Sequence, residues 1–231
     1  DDTVLFSWPP DAEVVLRLAA RRKIVHMQGA NTEADRRLFA ERRLEFVSHG
    51  LHMTQQLLLH GRIGPYVPLG IRDVFRWRGE EKETGSVGLM SRKGGRLVDR
   101  VRRALPTGAR LDVLADLTED EVAAAMKRCD VFVPISTGEA FGLPPLEAMA
   151  AGCCVVGYPG DGGFEFMRHA ETAHVVPNGD AKGLGRALRL VLERPAYRDG
   201  LRRRGQALAA YYTLEREGAY LLRALGLDAT T

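Results

Sequence analysis

Short apolar runs alternate with amphipathic patterns along most of the chain. Strands read as short apolar runs and helices as longer stretches with apolar residues three and four apart, so the pattern predicts alternating strands and helices. Strands are predicted at 24–27, 44–47, 111–114, 131–135 and 153–157, with another ending at Gly88. Helices are predicted at about 32–43, 51–60, 95–104, 144–152, 163–168 and 181–194, and a long helical pattern continues from Ala196. This order favours an α/β fold with a parallel sheet covered on both faces.

Residues 76–84 are polar and charged, and we predict that they link two domains. Residues 1–77 are interpreted as an N-terminal α/β domain. Residues 78–231 are interpreted as a Rossmann-like domain with a doubly wound parallel sheet. The last helix is a candidate to pack back on the N-terminal part. Thr118 and Glu121 have the spacing of a capping box, which marks the start of one helix.

Composition and charge narrow the classes of function. The chain has 231 residues, 45% of them hydrophobic, and a formal net charge of +3. A charge balance this even argues against a nucleic-acid partner. Basic runs at 21–23 and 202–204 lie beside apolar residues at helical spacing. They are typical of solvated helix faces, with attachment to an anionic membrane surface as the minor alternative.

The cysteines and histidines indicate neither disulfides nor a metal site. Cys153 and Cys154 are adjacent in an apolar run, and with Cys129 they form no disulfide framework. The histidines are scattered without metal-ligand spacing. No apolar stretch approaches the about 20 residues that span a bilayer. We therefore expect a cytoplasmic protein that needs no metal, with peripheral attachment to a membrane as an alternative.

The candidate chemistry lies between the predicted strand at 131–135 and the next helix. Ligands of open α/β sheets bind beyond the carboxyl ends of strands, where this connection is expected. Its glycines, Gly138 and Gly142, allow close approach of the backbone to a ligand. Pro144 and Pro145 are tolerated in the first helical turn. The free N–H groups of Gly142 or Leu143 and the helix dipole suit a phosphate.

Two carboxylates, Glu139 and Glu147, lie on either side of this helix start with seven residues between them. A carboxylate accepts hydrogen bonds from neighbouring hydroxyls, and a nucleotide sugar offers hydroxyls on both its ribose and its sugar. The alternative is that Glu147 merely complements the helix dipole and Glu139 is a solvated loop residue. Their occurrence together beside the glycines favours a binding site.

A second glycine-containing loop, residues 88–95, carries the adjacent cations Arg92 and Lys93. Cations next to such a loop would neutralise a leaving nucleoside diphosphate. An exposed basic turn is the alternative for this loop alone. In such a fold this loop is expected to lie near the predicted helix start at 142–145, and that position favours binding of a diphosphate.

These motifs together resemble a known family. The stretch EAFGLPPLEAMAAG, residues 139–152, resembles the signature of retaining GT-B glycosyltransferases of family 4, with Ala140 where glycine is usual. The stretches GDGGFEFM at 160–167 and HVVPNGD at 174–180 look like later motifs of that family. The resemblance covers the chain from about Gly85 onward. It implies a GT-B fold and transfer of a sugar from a nucleoside diphosphate sugar, with retention of configuration and no essential metal.

The resemblance also implies roles for individual residues. Glu139 would contact the hydroxyls of the donor sugar, and Glu147 would hold the ribose. Backbone N–H groups of Phe141, Gly142 and Leu143 would bind sugar and phosphate. The loop GLMSRKGG at 88–95 resembles the family segment in which an arginine and a lysine bind the diphosphate, although Arg92 and Lys93 are adjacent here and the loop is one residue shorter.

The N-terminal 77 residues resemble only the later part of the family's N-terminal domain, on the stretches 24–29, 45–57 and 66–75. That domain binds the acceptor in the family, so we expect an incomplete acceptor side, a partner chain or second copy that completes it, or residues missing from the sequence. His26 is a candidate to approach the donor sugar from across the cleft, and an ordinary core histidine at a strand end is an equal alternative. The acceptor is unknown.

Two other functions compete with an active glycosyltransferase. A non-catalytic subunit that keeps the donor fold would bind a nucleotide sugar or a partner chain without turnover. The short first domain favours that alternative, whereas the presence of both Glu139 and Glu147 favours an enzyme. A dinucleotide-dependent oxidoreductase would need a G-x-G-x-x-G motif after its first strand, and the sequence has none.

Overall fold

The computed structural model describes residues 2–7, 9–27, 29, 33–90 and 95–227. The chain divides into two compact units. The first comprises residues 1–70 and 214–231, and the second comprises residues 71–213.

The first unit is built on a three-stranded parallel sheet. In chain order it contains strand β1 (Thr3–Phe6), helix α1 (Ala12–Arg17), strand β2 (Arg22–Met27), helix α2 (Glu33–Ala40), strand β3 (Glu45–Ser48) and helix α3 (Leu51–Leu59). The strand order is β1-β2-β3, and Ile24 of β2 pairs with Glu45 of β3. Ile24, Val47 and Val67 are buried in its core.

The second unit contains the larger sheet. Its elements are β4 (Glu83–Met90), α4 (Gly95–Ala104), β5 (Arg110–Leu114), α5 (Glu119–Arg128), β6 (Cys129–Phe132), α6 (Leu143–Ala150), β7 (Cys154–Gly157), β8 (His174–Val175), α7 (Ala181–Glu193) and α8 (Pro195–Ala209). The strand order is β5-β4-β6-β7-β8, and all neighbours are parallel. The winding therefore reverses between β4 and β6, which makes the sheet doubly wound.

The last helix, α9 (Leu214–Leu225), returns to the first unit. Four of its residues pack against the core of that unit: Tyr220, Leu221, Ala224 and Leu225. The guanidinium of Arg22 donates to the carbonyl of Leu225 at 2.7 Å, and the amide of Gly70 donates to the Glu217 carboxylate at 2.9 Å. The apolar stripe and these polar contacts together anchor the helix.

The predicted linker at 76–84 does not coincide with the boundary, which lies at Gly70 and Ile71. Phe75 is buried in the second unit, and the amide of Trp77 donates to the carbonyl of Ala150 at 2.9 Å. The Trp77 ring also packs closely against Gly152, since a Cβ on this glycine would lie 3.0 Å from the ring. Aromatic packing thus anchors a segment whose polar composition suggested a linker.

Three predicted elements also differ from the observed ones. The strand predicted at 131–135 ends at Phe132, because Pro134 has no N–H to continue the ladder. The helix predicted at 163–168 is a 3₁₀ turn at Gly163–Glu165. The long pattern from Ala196 is interrupted after Ala209, where the amide of Ile71 donates to the carbonyl of Tyr212 and Ile71 forms a bridge with Thr213.

Candidate functional site

The candidate site lies at the carboxyl edge of the five-stranded sheet, where the winding reverses. The loop that leaves β6 runs through 133–142 into α6, next to the carboxyl end of β4. Crevices at such reversal points bind ligands because the two connections leave in opposite directions and open a gap. The predicted loop around Glu139 therefore lies where the fold leaves room for a ligand.

The start of α6 carries two backbone donors, on Gly142 and Leu143. Gly142 precedes the helix with φ of 88°, a left-handed conformation that favours glycine. Pro144 and Pro145 have no N–H, and neither Gly142 nor Leu143 donates its N–H to a residue that the structure describes. These two N–H groups and the positive end of the helix dipole can receive an anion.

A glycine-rich segment supports the loop from behind. The amides of Asp161 and Gly162 donate to the carbonyl of Glu139 at 3.1 and 2.9 Å. A Cβ on Gly162 would lie 1.9 Å from the carbonyl oxygen of Ala140, so only glycine allows this backbone contact. The resemblance pointed to the segment at 160–167, but it did not reveal this supporting role.

The predicted carboxylate Glu139 is half-buried in the loop. Its side chain accepts a hydrogen bond from the hydroxyl of Ser136 at 3.1 Å. Sequence reasoning missed Ser136, whose position three residues before Glu139 was the available signal. Because the hydroxyl restricts the carboxylate, Glu139 is held in a defined orientation.

The second predicted carboxylate, Glu147, is half-buried on α6. It makes no hydrogen bond or ion pair with any residue in the described part of the chain. Burial raises the pKa of this carboxyl to about 7, because desolvation penalises its charged form. Hydroxyl donors from a ligand would supply the missing hydrogen bonds, which suits the predicted contact with a ribose.

The side chain of Phe141 belongs to an aromatic cluster beneath the loop. Its ring lies 5.5 Å from that of Phe166 and 6.1 Å from that of Tyr212, measured between centroids. The Tyr212 hydroxyl donates to the Glu165 carboxylate at 3.2 Å, and burial together with this carboxylate raises the pKa of Tyr212. Phe141 is buried, so its backbone is what it can offer a ligand.

Arg92 and Lys93, the predicted diphosphate ligands, lie outside the described residues. Their contact with a diphosphate stays a prediction. Among described residues, no group of three or more histidine, cysteine, aspartate or glutamate side chains is arranged to hold a metal ion. None of the helices in the described ranges combines the length and apolarity that a membrane span requires.

His26 lies at the end of β2 in the first unit, next to a histidine that the sequence did not single out. Its ring contacts that of His49 edge to face, with centroids 5.3 Å apart. Burial lowers the pKa of His26, and burial together with His26 lowers the pKa of His49 to about 4. Both rings are therefore poorly suited to carry a charge at neutral pH. The contact of His26 with a donor sugar stays a prediction.

Comparison with known proteins finds relatives for the part of the chain that carries this site. Residues 99–208, a little under half of the chain, match the model of the family Glycosyl transferases group 1. A phosphatidyl-myo-inositol mannosyltransferase of Mycobacterium leprae is 35% identical over 123 residues, which are 53% of this chain. The matched region spans 29% of that relative's length.

Solved structures extend the likeness over nearly the whole chain. TarM from S. aureus, in a complex that includes UDP, superposes with a TM-score of 0.81 at 10% identity over 96% of this chain and 55% of its own. HepE from Anabaena, in complex with UDP, has a TM-score of 0.79 at 15% identity over 97% of this chain and 78% of its own. The chain shares the fold of the GT-B glycosyltransferases.

Proposed function

We propose that the chain carries the donor-binding part of a retaining glycosyltransferase, which moves a sugar from a nucleoside diphosphate sugar to an acceptor. One observation carries the proposal: Glu147 is a half-buried carboxylate without a partner in the described ranges, on a helix whose first turn presents free N–H groups. A ligand with both hydroxyls and phosphates satisfies both features, and a nucleotide sugar has both.

The leaving group of this reaction is a nucleoside diphosphate, and its charge must be stabilised as the sugar–phosphate bond breaks. The N–H groups of Gly142 and Leu143 and the α6 dipole act on that charge in a fixed geometry. Arg92 and Lys93 add cationic charge in the proposal. With these groups in place, we propose that the reaction needs no metal.

Retention requires the acceptor oxygen to bond to the anomeric carbon on the face that the phosphate leaves. The bond from that carbon to the phosphate oxygen breaks first, and positive charge develops on the sugar. The acceptor hydroxyl then forms the new bond and passes its proton to the departing phosphate. Glu139, oriented by Ser136, holds the sugar hydroxyls during this exchange.

The names of similar proteins guide the choice of substrates. UDP is bound in the structures of TarM and HepE, and the curated relative is a mannosyltransferase that acts on phosphatidyl-myo-inositol. We therefore propose a hexose as the transferred sugar. The base would contact the loop at 115–117, where Asp116 has a left-handed φ of 55° and turns the backbone beyond β5.

The test distinguishes the roles of Glu147 and Glu139 by measuring nucleotide affinity and turnover separately. Glu147→Ala removes the ribose contact, so we expect nucleotide affinity to fall about tenfold to a hundredfold, the effect of losing charge-assisted hydrogen bonds. Glu139→Ala removes the sugar contact, so we expect kcat to fall with little change in affinity for the nucleoside diphosphate. Titration calorimetry with UDP and GDP, followed by release of nucleoside diphosphate from their sugars, measures both.

The exposed residue Glu171 provides the control, because Glu171→Ala leaves the site intact. Unchanged nucleotide affinity in Glu147→Ala would contradict the assigned role. Binding without turnover across a panel of donors and acceptors would favour a non-catalytic subunit instead.

A further inference from the structure

A groove whose described lining shares no residue with the candidate site runs between α4 and α7 on the second unit and has a volume of about 930 Å³. The two helices approach closely where Gly185 faces Ala104, since a Cβ on this glycine would lie 2.9 Å from the Cβ of Ala104. Small side chains at the crossing allow the helices to meet, and longer side chains on either side form the walls. We call it the α4–α7 groove.

The charge of the α4–α7 groove is strongly one-sided. Among the residues that the structure describes, five cations line it: Arg100, Arg103, Lys182, Arg186 and Arg189. Glu193 is the one carboxylate among the described lining residues. The net charge of the whole chain is +3, so this groove concentrates positive charge that the rest of the chain balances. An anionic partner is the one that this surface complements.

The cations of the groove are available to a ligand. Arg100, Lys182 and Arg189 are exposed and form no hydrogen bond or ion pair with a described residue. Arg186 lies 3.8 Å from the Asp180 carboxylate and is 75% exposed. Lys182, Arg186 and Arg189 share one face of α7, because they are four and seven residues apart.

Several cations of the basic runs at 21–23 and 202–204 are engaged elsewhere. Arg22 pairs with Glu45, and the ammonium of Lys23 donates to the carbonyl of Ala20. Arg202 pairs with Asp130 in the interior. The groove assembles its charge from residues about eighty positions apart, so folding creates a basic surface that no run in the sequence reveals.

The lining between the cations is small and apolar, with Ala104, Ala181 and Leu190. A duplex nucleic acid presents phosphates at its surface but no long apolar chains that could cover such a lining. An anionic phospholipid presents both, and long basic side chains can reach its phosphates while their stems cover apolar surface. We propose that the α4–α7 groove docks the chain on an anionic phospholipid surface. This docking is separate from donor binding and does not depend on glycosyl transfer.

Vesicle flotation tests the proposal with the full chain. We expect binding to phosphatidylcholine vesicles that contain about 30 mol% phosphatidylglycerol, and little binding to pure phosphatidylcholine. Raising the salt from about 0.1 M to about 0.5 M should weaken the binding, because it screens the charges. Equal binding to the neutral and the anionic vesicles would overturn the proposal.

A pair of double variants localises the effect. Lys182→Glu with Arg189→Glu reverses two cations of the groove, and we expect affinity for anionic vesicles to fall about tenfold or more. Arg36→Glu with Arg203→Glu makes the same change in net charge at exposed residues outside it, and we expect a much smaller loss. Equal losses in both pairs would show that net charge alone drives binding and would overturn the site.

Two further readouts complete the test. Thermal unfolding of both double variants checks that they fold, and their nucleotide affinity should match that of the parent chain. If duplex DNA binds through the same cations and anionic vesicles do not, the groove is a nucleic-acid surface and the lipid proposal fails. A loss of nucleotide affinity in Lys182→Glu with Arg189→Glu would contradict the separation from the donor site.

Discussion

Two acidic side chains of the second unit differ in how they are neutralised: Asp130, at the amino end of β6, and Glu147, on the helix that begins at the carboxyl edge of the same sheet. Asp130, at the start of β6, is almost fully buried at 3% side-chain exposure. Its carboxylate pairs with Arg198 at 3.1 Å and with Arg202, and it accepts the amide of Gly85 at 3.1 Å. Glu147, on α6, has no such partner within the described ranges, and its pKa is raised to about 7.

The comparison distinguishes a charge that belongs to the fold from one that awaits a ligand. Buried carboxylates in native proteins are normally satisfied, and Asp130 follows that rule with groups from β4 and α8. Glu147 departs from it at the carboxyl edge, where ligands of such sheets bind. We infer that loss of Asp130 should affect stability and loss of Glu147 should affect binding.

The largest effect is expected for Asp130→Ala. The substitution removes the buried carboxylate that pairs with both Arg198 and Arg202, so the free energy of unfolding should fall by about 3–5 kcal/mol. Denaturant unfolding measures it. Asp199→Ala is the matched control, because Asp199 also pairs with Arg202 but its side chain is 40% exposed, and we expect a loss below about 1 kcal/mol. Similar losses in both variants would remove the distinction between the buried and the exposed partner.

A smaller effect is expected for Gly162→Ala, which disturbs the support of the site. The new Cβ would collide with the carbonyl of Ala140, so the loop must shift, and we expect a loss of about 1–3 kcal/mol in stability with weaker nucleotide binding. Gly138→Ala is the matched control, because Gly138 lies in the loop that contains Ala140 and a Cβ there would meet nothing within 4 Å. Its melting temperature should stay close to that of the parent chain. Equal melting temperatures for both variants would show that the backbone contact is not required.

The smallest effect is a pH dependence that belongs to Glu147. Burial raises the pKa of the Glu147 carboxyl, so its protonation stabilises the folded chain. This contribution to stability is complete below the ordinary pKa of a glutamate and is lost as the pH rises through about 7. A ligand whose hydroxyls donate to the carboxylate favours the charged form and releases a proton on binding. The affinity for a nucleoside diphosphate sugar should therefore rise by up to about tenfold per pH unit between pH 5 and about 7.

Calorimetry of the same ligand in buffers with different heats of ionisation measures the proton release. Glu147→Gln should remove both the release and the slope, whereas Glu139→Gln should keep them. A slope that survives in Glu147→Gln would assign the proton to another group and weaken the contrast with Asp130.

Local sequence patterns were enough for several elements. Thr118 and Glu121 form the predicted capping box, with both of its hydrogen bonds. The helix predicted at 144–152 ends close to its predicted limit, where Gly152 has a left-handed φ of 75°. The alternation of strands and helices predicted the parallel sheets and the fold class. These features depend on residues a few positions apart, whose contacts are determined by helix and strand geometry.

The sequence by itself determined the α/β order, the glycine at the start of α6 and the two candidate carboxylates beside it. The tertiary structure alone decided which charges are satisfied, since Asp130 meets Arg202 across 72 positions and Lys182 joins Arg103 in one groove. It also decided that Trp77 anchors a polar segment and that the long helical pattern from Ala196 is interrupted between α8 and α9. Such contacts depend on how strands and helices are placed against each other, and local periodicity carries no information about that placement.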